Sequence, residues 1–390
     1  MPLPPALQPT PLELAAGTVV GWAPPEPLPD VPASLTPLEA LQDALVPALE
    51  RGRCCVAFSG GRDSSAILAA AVDAARARGL DDPVPLTMRF PGAEASLEDR
   101  WQEEVVAHLG LSDWHRVEIA GDLDFVGPHA TAVLRRHGSF WPANGHSYLP
   151  LLAWARGGTL VTGLDGDGLL DGWQWGQVAA VLGGRRRPSP RDALRVVKAH
   201  SPRPLRRAWA ARRERAFDRL SWLTPDAREQ INRAFVRQRA EEPPDWRRRL
   251  GRYYLGQRHL AVIGETMQMT AADAEVAMAH PLLDRRFLAA FARAGGRAGY
   301  ADRTEAMGVL FGGLLPRHVV ERRSKAEFSG AFWGEASRLF AESWSGRGLD
   351  PALVDAERLR AAWLSPSQGA RSACLLQQAW LADSGVEAQE

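Results

Sequence analysis

Lysine is almost missing from this chain of 390 residues: of its 47 basic side chains only Lys198 and Lys325 are lysines, and the rest are arginines. Arginine replaces lysine easily on solvated faces but not where a compact ammonium is needed, so each remaining lysine marks a position to follow. Cysteine is scarce as well. Cys54, Cys55 and Cys374 cannot build a disulfide framework, their spacing fits no zinc site, and the nine histidines show no metal-ligand spacing. Cys54 and Cys55 lie in an apolar run and read as small core residues. No apolar run approaches the roughly 18 residues of a membrane span. The first residues have neither the basic start nor the apolar stretch of a signal peptide. Charge of one sign is lacking too: 47 basic against 46 acidic side chains leave a net charge of +1. That balance does not suit nucleic acid as the default partner, because binding through phosphates leaves a basic excess. The expectation is a soluble, cytoplasmic protein whose 45% of hydrophobic residues suffice for a sizeable core.

What is present falls into three stretches. The first forty residues are proline-rich, with one short apolar run at 18–22 that reads as a strand. A threonine N-cap, a proline and apolar residues at helical spacing predict a helix over 36–49. Beyond it, apolar runs at 54–58, 85–90, 115–119 and 158–162 read as strands, alternating with helical patterns at 66–78, 97–109 and 148–155. Strands alternating with helices mean a parallel sheet covered on both faces. After about residue 180 the alternation is expected to stop and arginine-rich helices to dominate. The expected organisation is an N-terminal segment 1–40, an α/β core 41–180 and a mostly helical region 181–390.

Two Gly/Asp-rich loops follow predicted strands, where ligands of parallel sheets bind. The first, SGGRDSS (59–65), joins a strand to a helix. Gly60 and Gly61 let the backbone turn so that successive amides can face phosphate oxygens. The helix N-terminus adds partial positive charge, and Ser59, Ser64 and Ser65 add donors. No lysine is present, so this is not a Walker A loop, and Asp63 takes a central place. A carboxylate beside phosphates is repulsive unless a cation lies between them, so Asp63 implies Mg²⁺. The second loop is GLDGDGLLDGW (163–173).

SGGRDSS resembles the pyrophosphate loop of the N-type ATP pyrophosphatases, and three further segments resemble the asparagine synthetase family within that group. These are TGLDGDGLLDGW (162–173), HPLLDRRFLAAFA (280–292) and LLPRHVVERRSKAEFSGAF (314–332). The resemblance spans roughly residues 40 to 345 and implies a sheet of the adenine-nucleotide α-hydrolase (PP-loop, HUP-like) type with a mostly helical C-terminal part. It further implies cleavage of ATP between the α and β phosphates, an adenylated carboxylate and amide formation, in asparagine biosynthesis or a related reaction. ATP and Mg²⁺ are the implied cofactors. Asp63 and Asp167 are implied as the metal ligands, and Lys325 as the charge at the reaction centre. Met88 and Gly163 are implied at the nucleotide beside the first loop.

The departures bear on mechanism. The glutamine-dependent relatives carry a whole glutaminase domain, of which 12–27 resembles only the tail. Nitrogen is therefore expected from free ammonia, from an amine in the substrate or from a separate amidotransferase. The second loop has Leu164 and Gly168 where the family has acids, so the proton acceptor must lie elsewhere, with Glu265 and Asp165 as candidates. The carboxylate substrate is read as a small molecule or a peptide. A lactam-forming cyclase of the β-lactam synthetase or lasso-peptide type is the alternative, supported by WPANGHSY (141–148), with a precursor peptide as its partner. A non-catalytic nucleotide-binding homologue is the second alternative, and a tRNA-modifying enzyme is weakened by the neutral charge. Trp141, Trp154, Trp173 and Trp175 either pack in the core or line a pocket for a bulky substrate, packing being the commoner fate.

Overall fold

The computed structural model describes residues 3–24, 26–91, 98–119, 121, 123–213, 215–322, 329–365 and 370–385. Lys325 lies outside the described residues. Five short strands form one sheet: β1 (Cys54–Ala57), β2 (Val84–Arg89), β3 (His115–Glu118), β4 (Thr159–Val161) and β5 (Ala277–Ala279). Their order is β3-β2-β1-β4-β5, and every neighbouring pair is parallel. The α/β class is as expected, and four strands fall on the apolar runs read from the sequence.

The sheet is buried on both faces, as a parallel sheet must be. Successive side chains of a strand point to opposite faces. Cys54 and Val56 of β1 enter one core with the helices Pro37–Glu50, Arg62–Ala77 and Arg285–Gly295. Cys55 enters the other, with Leu86, Leu160 and Met278, beneath the helices Leu149–Trp154 and Arg258–Asp273. The helix expected over 36–49 forms as Pro37–Glu50. Thr36 caps it by accepting from the Glu39 amide, while the Glu39 carboxylate accepts from the Thr36 amide.

Two expectations need correction. Alternation does not end at 180, because Ala-Met-Ala at 277–279 supplies β5, with Leu160 of β4 in register with Met278. Three residues of modest strand preference carry no periodic signal, and only the edge of β4 makes them a strand. The run at 18–22 is not a strand either. It contributes one antiparallel bridge, Trp22 to Gln257, and is held by Arg258, whose guanidinium meets Glu13 at 2.6 Å and the carbonyl of Gln8 at 2.6 Å. The N-terminal helix Pro11–Ala16 packs in a third cluster with Trp222, Trp344 and Trp363, so the proline-rich segment folds against the helical region. Among the described residues no helix is long and apolar enough to cross a membrane.

Two largely buried histidines make stability depend on pH. Burial pushes both His259 and His280 down to about 4. His280 meets the Thr162 hydroxyl at 2.8 Å, and its other ring nitrogen has no partner among the described residues. An unfolded histidine takes its proton near pH 6.5, so between about 6.5 and 4 the unfolded chain binds protons that the native state refuses. Stability should therefore fall as pH drops through that window, by up to about 3 kcal/mol per histidine. Urea denaturation at pH 7.5 and 5 is the check, with a smaller loss expected for His280→Asn than for the unchanged protein.

Candidate active site

Asp63 and Asp167 occupy equivalent places in the fold. β1 and β4 are parallel neighbours, and each aspartate lies the same number of residues beyond the end of its strand. Asp63 sits in the first turn of the helix Arg62–Ala77, and Asp167 in that of the short helix Gly166–Leu170. Both line one cavity of about 770 Å³ at the C-terminal edge of the sheet. Asp63 is mostly covered, whereas Asp167 is 53% exposed and reaches into the open part.

The first loop leaves its helix N-terminus open. Gly61 caps the helix Arg62–Ala77 with extended backbone and no side-chain hydrogen bond, so the first amides remain available to an anion. Ser59 and Ser64 organise the turn: their hydroxyls lie 3.1 Å apart, and Ser64 donates to the Gly61 carbonyl at 3.0 Å. The loop is clamped from behind. Arg322, buried and paired with Glu98, donates to the Gly60 carbonyl at 2.9 Å, and Gln102 donates to the Ser59 carbonyl at 3.0 Å.

The second loop is built to approach Asp63. A Cβ on Gly166 would stand 2.4 Å from the Asp63 carboxyl carbon, so only glycine allows this contact. Gly168, where the family pattern has an acid, is explained the same way. A Cβ there would stand 2.4 Å from Asp165 Oδ2, because the Asp165 carboxylate fills that space. Asp165 adopts left-handed backbone (φ 59°) and accepts from the Tyr254 hydroxyl at 2.6 Å. Burial pushes its carboxyl up to about 6, against the opposing pull of Tyr254 and Arg249. Arg249 is itself buried. It pairs with Glu242 at 3.1 Å and donates to the carbonyls of Gly168 (2.7 Å) and Leu169 (3.1 Å), which pins the loop. A smaller cavity of about 150 Å³ meets Asp165 and Gly168 from the far side.

The charge balance of the site is set by an arginine that the sequence did not single out. Arg303, at the start of the helix Arg303–Phe311, donates from one Nη to Asp63 Oδ1 at 2.6 Å and from the other to Asp167. Burial raises the Asp63 carboxyl above its ordinary range and Arg303 opposes that rise; burial alone would lower Arg303, yet the two carboxylates hold it above its usual value. Arg62 and Asp171 complete the charged lining.

Of the residues singled out from the sequence, Ser59, Gly61, Asp63, Ser64, Met88, Gly163, Leu164, Asp165 and Asp167 line the cavity. Gly60 turns its backbone to Arg322 behind the loop. Ser65 is fully buried and its hydroxyl has no partner among the described residues, so it does not reach the cavity. Glu265 is exposed and stands outside the lining, because Val262, Thr266 and Thr270 form the inward face of its helix. None of the four tryptophans lines the cavity either: Trp173 packs on Trp246, and Trp154 stacks on His115 at the surface. Asn144 and Tyr148 of the 141–148 stretch do line it, as do Arg322 and Phe332.

The two close glycine contacts predict a contrast. Gly166→Ala and Gly168→Ala should each lose about 1–3 kcal/mol through overpacking against the Asp63 and Asp165 carboxylates. Gly308→Ala, in the middle of a helix with open space around it, should be neutral or stabilising by up to about 1 kcal/mol. Denaturant midpoints of the three variants test this.

The model of the asparagine synthase family matches residues 38–387, a span that holds both loops, β5 and the Arg303 helix. No curated protein matches the chain. The chain belongs to the asparagine synthase family, and thereby to a family of ATP-dependent, amide-forming ligases.

Proposed function

We propose that the protein activates a substrate carboxylate with ATP as an acyl-adenylate and passes the acyl group to ammonia or an amine. The observation that carries this reading is the convergence of Asp63 and Asp167 beside an uncapped helix N-terminus, in a cavity large enough for a nucleotide and a second substrate. Leu86, Met88 and Phe90 offer an apolar wall for the adenine, and the amides of Arg62 and Asp63 at the helix N-terminus would donate to the phosphate oxygens. The carboxylate oxygen attacks the α-phosphorus, the bond between the α-phosphorus and its bridging oxygen breaks, and pyrophosphate leaves. The nitrogen nucleophile then attacks the acyl carbon, AMP leaves and one proton is lost from nitrogen. Asp165 is our candidate for that proton, being a largely buried carboxylate on the cavity wall with its other oxygen face held by Tyr254. Lys325, outside the described residues, is the lysine that the family resemblance implies as the compact charge at the reaction centre.

The residues present fit Mg²⁺. Two carboxylates already hold a cation, the Arg303 guanidinium, between them. Among the described residues no group of three or more His, Cys, Asp or Glu forms a metal cage. Mg²⁺ commonly takes one or two carboxylates and completes its octahedron with phosphate oxygens and water. Asp63 and Asp167 would hold it, and when bound it supplies charge for the departing pyrophosphate.

A second reading, closure of a lactam within one substrate, is favoured by Asn144 and Tyr148 on the cavity wall, since their stretch resembles that of the cyclases. Both readings predict pyrophosphate release from ATP that depends on a carboxylate substrate. Asp63→Asn should reduce that release about 10²- to 10³-fold. Asp165→Asn should leave pyrophosphate–ATP exchange within a few-fold and slow amide formation at least tenfold. A panel of amino acids, β-amino acids and short peptides, with ammonium or as internal amines, is the assay. If no carboxylate elicits Asp63-dependent release while ATP still binds, the protein is a nucleotide-binding homologue without turnover.

A further inference from the structure

Arg303 stands where the proposed reaction needs a metal ion. Its two Nη groups are bonded to one oxygen each of Asp63 and Asp167, and its side chain is only 11% exposed. A divalent cation bound to those oxygens at about 2.0–2.1 Å would occupy the space the guanidinium hydrogens now fill. Arginine and metal therefore exclude one another at this pair. Among the described residues its buried Nε has no hydrogen-bond partner. Two carboxylates brought together, one of them mostly covered, repel each other, and the guanidinium between them offsets that repulsion.

We infer that Arg303 is an internal counter-cation that fills the metal position of the nucleotide-free protein and gives it up only when nucleotide enters. The inference rests on the proposed role of Asp63 and Asp167 as metal ligands. The physical reason is a charge exchange. If a metal ion alone displaced the guanidinium, Arg303 would be left unpaired inside a largely covered site, at a cost that cancels much of the gain. If the metal ion arrives with a triphosphate, the released guanidinium has phosphate oxygens to pair with in the same cavity, and all its charge is again compensated. Metal and nucleotide thus become coupled ligands: each raises the affinity of the other by the same factor, typically 5- to 150-fold for such couplings. Arg303 acts as a positioning residue in the free protein and contributes charge to the polyphosphate afterwards. Arg62 shares the cavity and adds to the positive charge the triphosphate meets.

The test uses Mn²⁺ as the probe and the full chain, with binding read by electron paramagnetic resonance rather than by turnover. Free Mn²⁺ should bind the unchanged protein weakly, and α,β-methylene-ATP should tighten it by at least tenfold. Arg303→Met should bind Mn²⁺ at least tenfold tighter than the unchanged protein in the absence of nucleotide, lose that gain on adding Asp63→Asn, and show most of the nucleotide coupling abolished. Arg303→Gln gives the same readout should the Met variant not fold. The inference is overturned if both folded Arg303 variants bind Mn²⁺ alone no better than the unchanged protein, or if the gain persists with Asp63→Asn. The nucleotide-free arm reads the counter-cation without any requirement for catalysis. Absence of nucleotide binding in every protein, with the Mn²⁺ gain intact, would therefore defeat the proposed function and leave the counter-cation standing.

Discussion

Two carboxylates held side by side beyond the ends of adjacent strands are bridged here by one guanidinium, and much of the architecture around the cavity serves that arrangement. Parallel pairing of β1 with β4 sets Asp63 and Asp167 at equivalent offsets. Gly166 lets the second loop come within contact of Asp63, and Arg249 fastens that loop by two of its carbonyls. Arg322 and Gln102 hold the first loop from behind, which fixes the backbone that carries Asp63. The helix that brings Arg303 packs on the same core as the first-loop helix through Ala306, Met307, Leu310 and Phe311, which fixes the point from which the arginine side chain reaches the pair.

The departures in the second loop are coupled. Leucine at 164 removes an acid from one side of the cavity, and glycine at 168 removes another. Asp165 takes the space that a side chain at 168 would need, in a backbone conformation that few residues other than glycine, asparagine or aspartate adopt. The result is one carboxyl with a raised proton affinity, bonded to Tyr254 and shared by two cavities. The acid of this loop stands at 165, with its partner Tyr254 from a distant helical segment. Leu164 leaves an apolar surface beside Tyr148 in the same cluster.

Features with a local cause were legible before any coordinates. The helix over 36–49 announces itself by a capping box and a proline. Four strands stand out as apolar runs between helical patterns, and SGGRDSS carries its own turn and anion chemistry. Features whose cause is a distant partner were not. β5 is a strand only because β4 offers an edge, and the run at 18–22 fails to become one because Arg258 ties it into a loop. Glu265 was a reasonable acid in an active-site segment, but helix periodicity turns it outward. Ser65 belongs to the motif yet faces the core. Lys325 drew notice because lysine is rare here, and Arg303 was hidden by the reverse circumstance, as one arginine among dozens.

From the sequence alone came the α/β class, the parallel sheet, the tight turn of the first loop and the family, because each is encoded over a few consecutive residues or in the order of short motifs. Tertiary structure alone decided which charges meet. Asp63, Asp167 and Arg303 are separated by more than a hundred residues of chain, and no periodicity or composition records a contact across such a distance. Ion pairing depends on separation in space and on burial, and both are set only when the sheet closes and the helices pack against it.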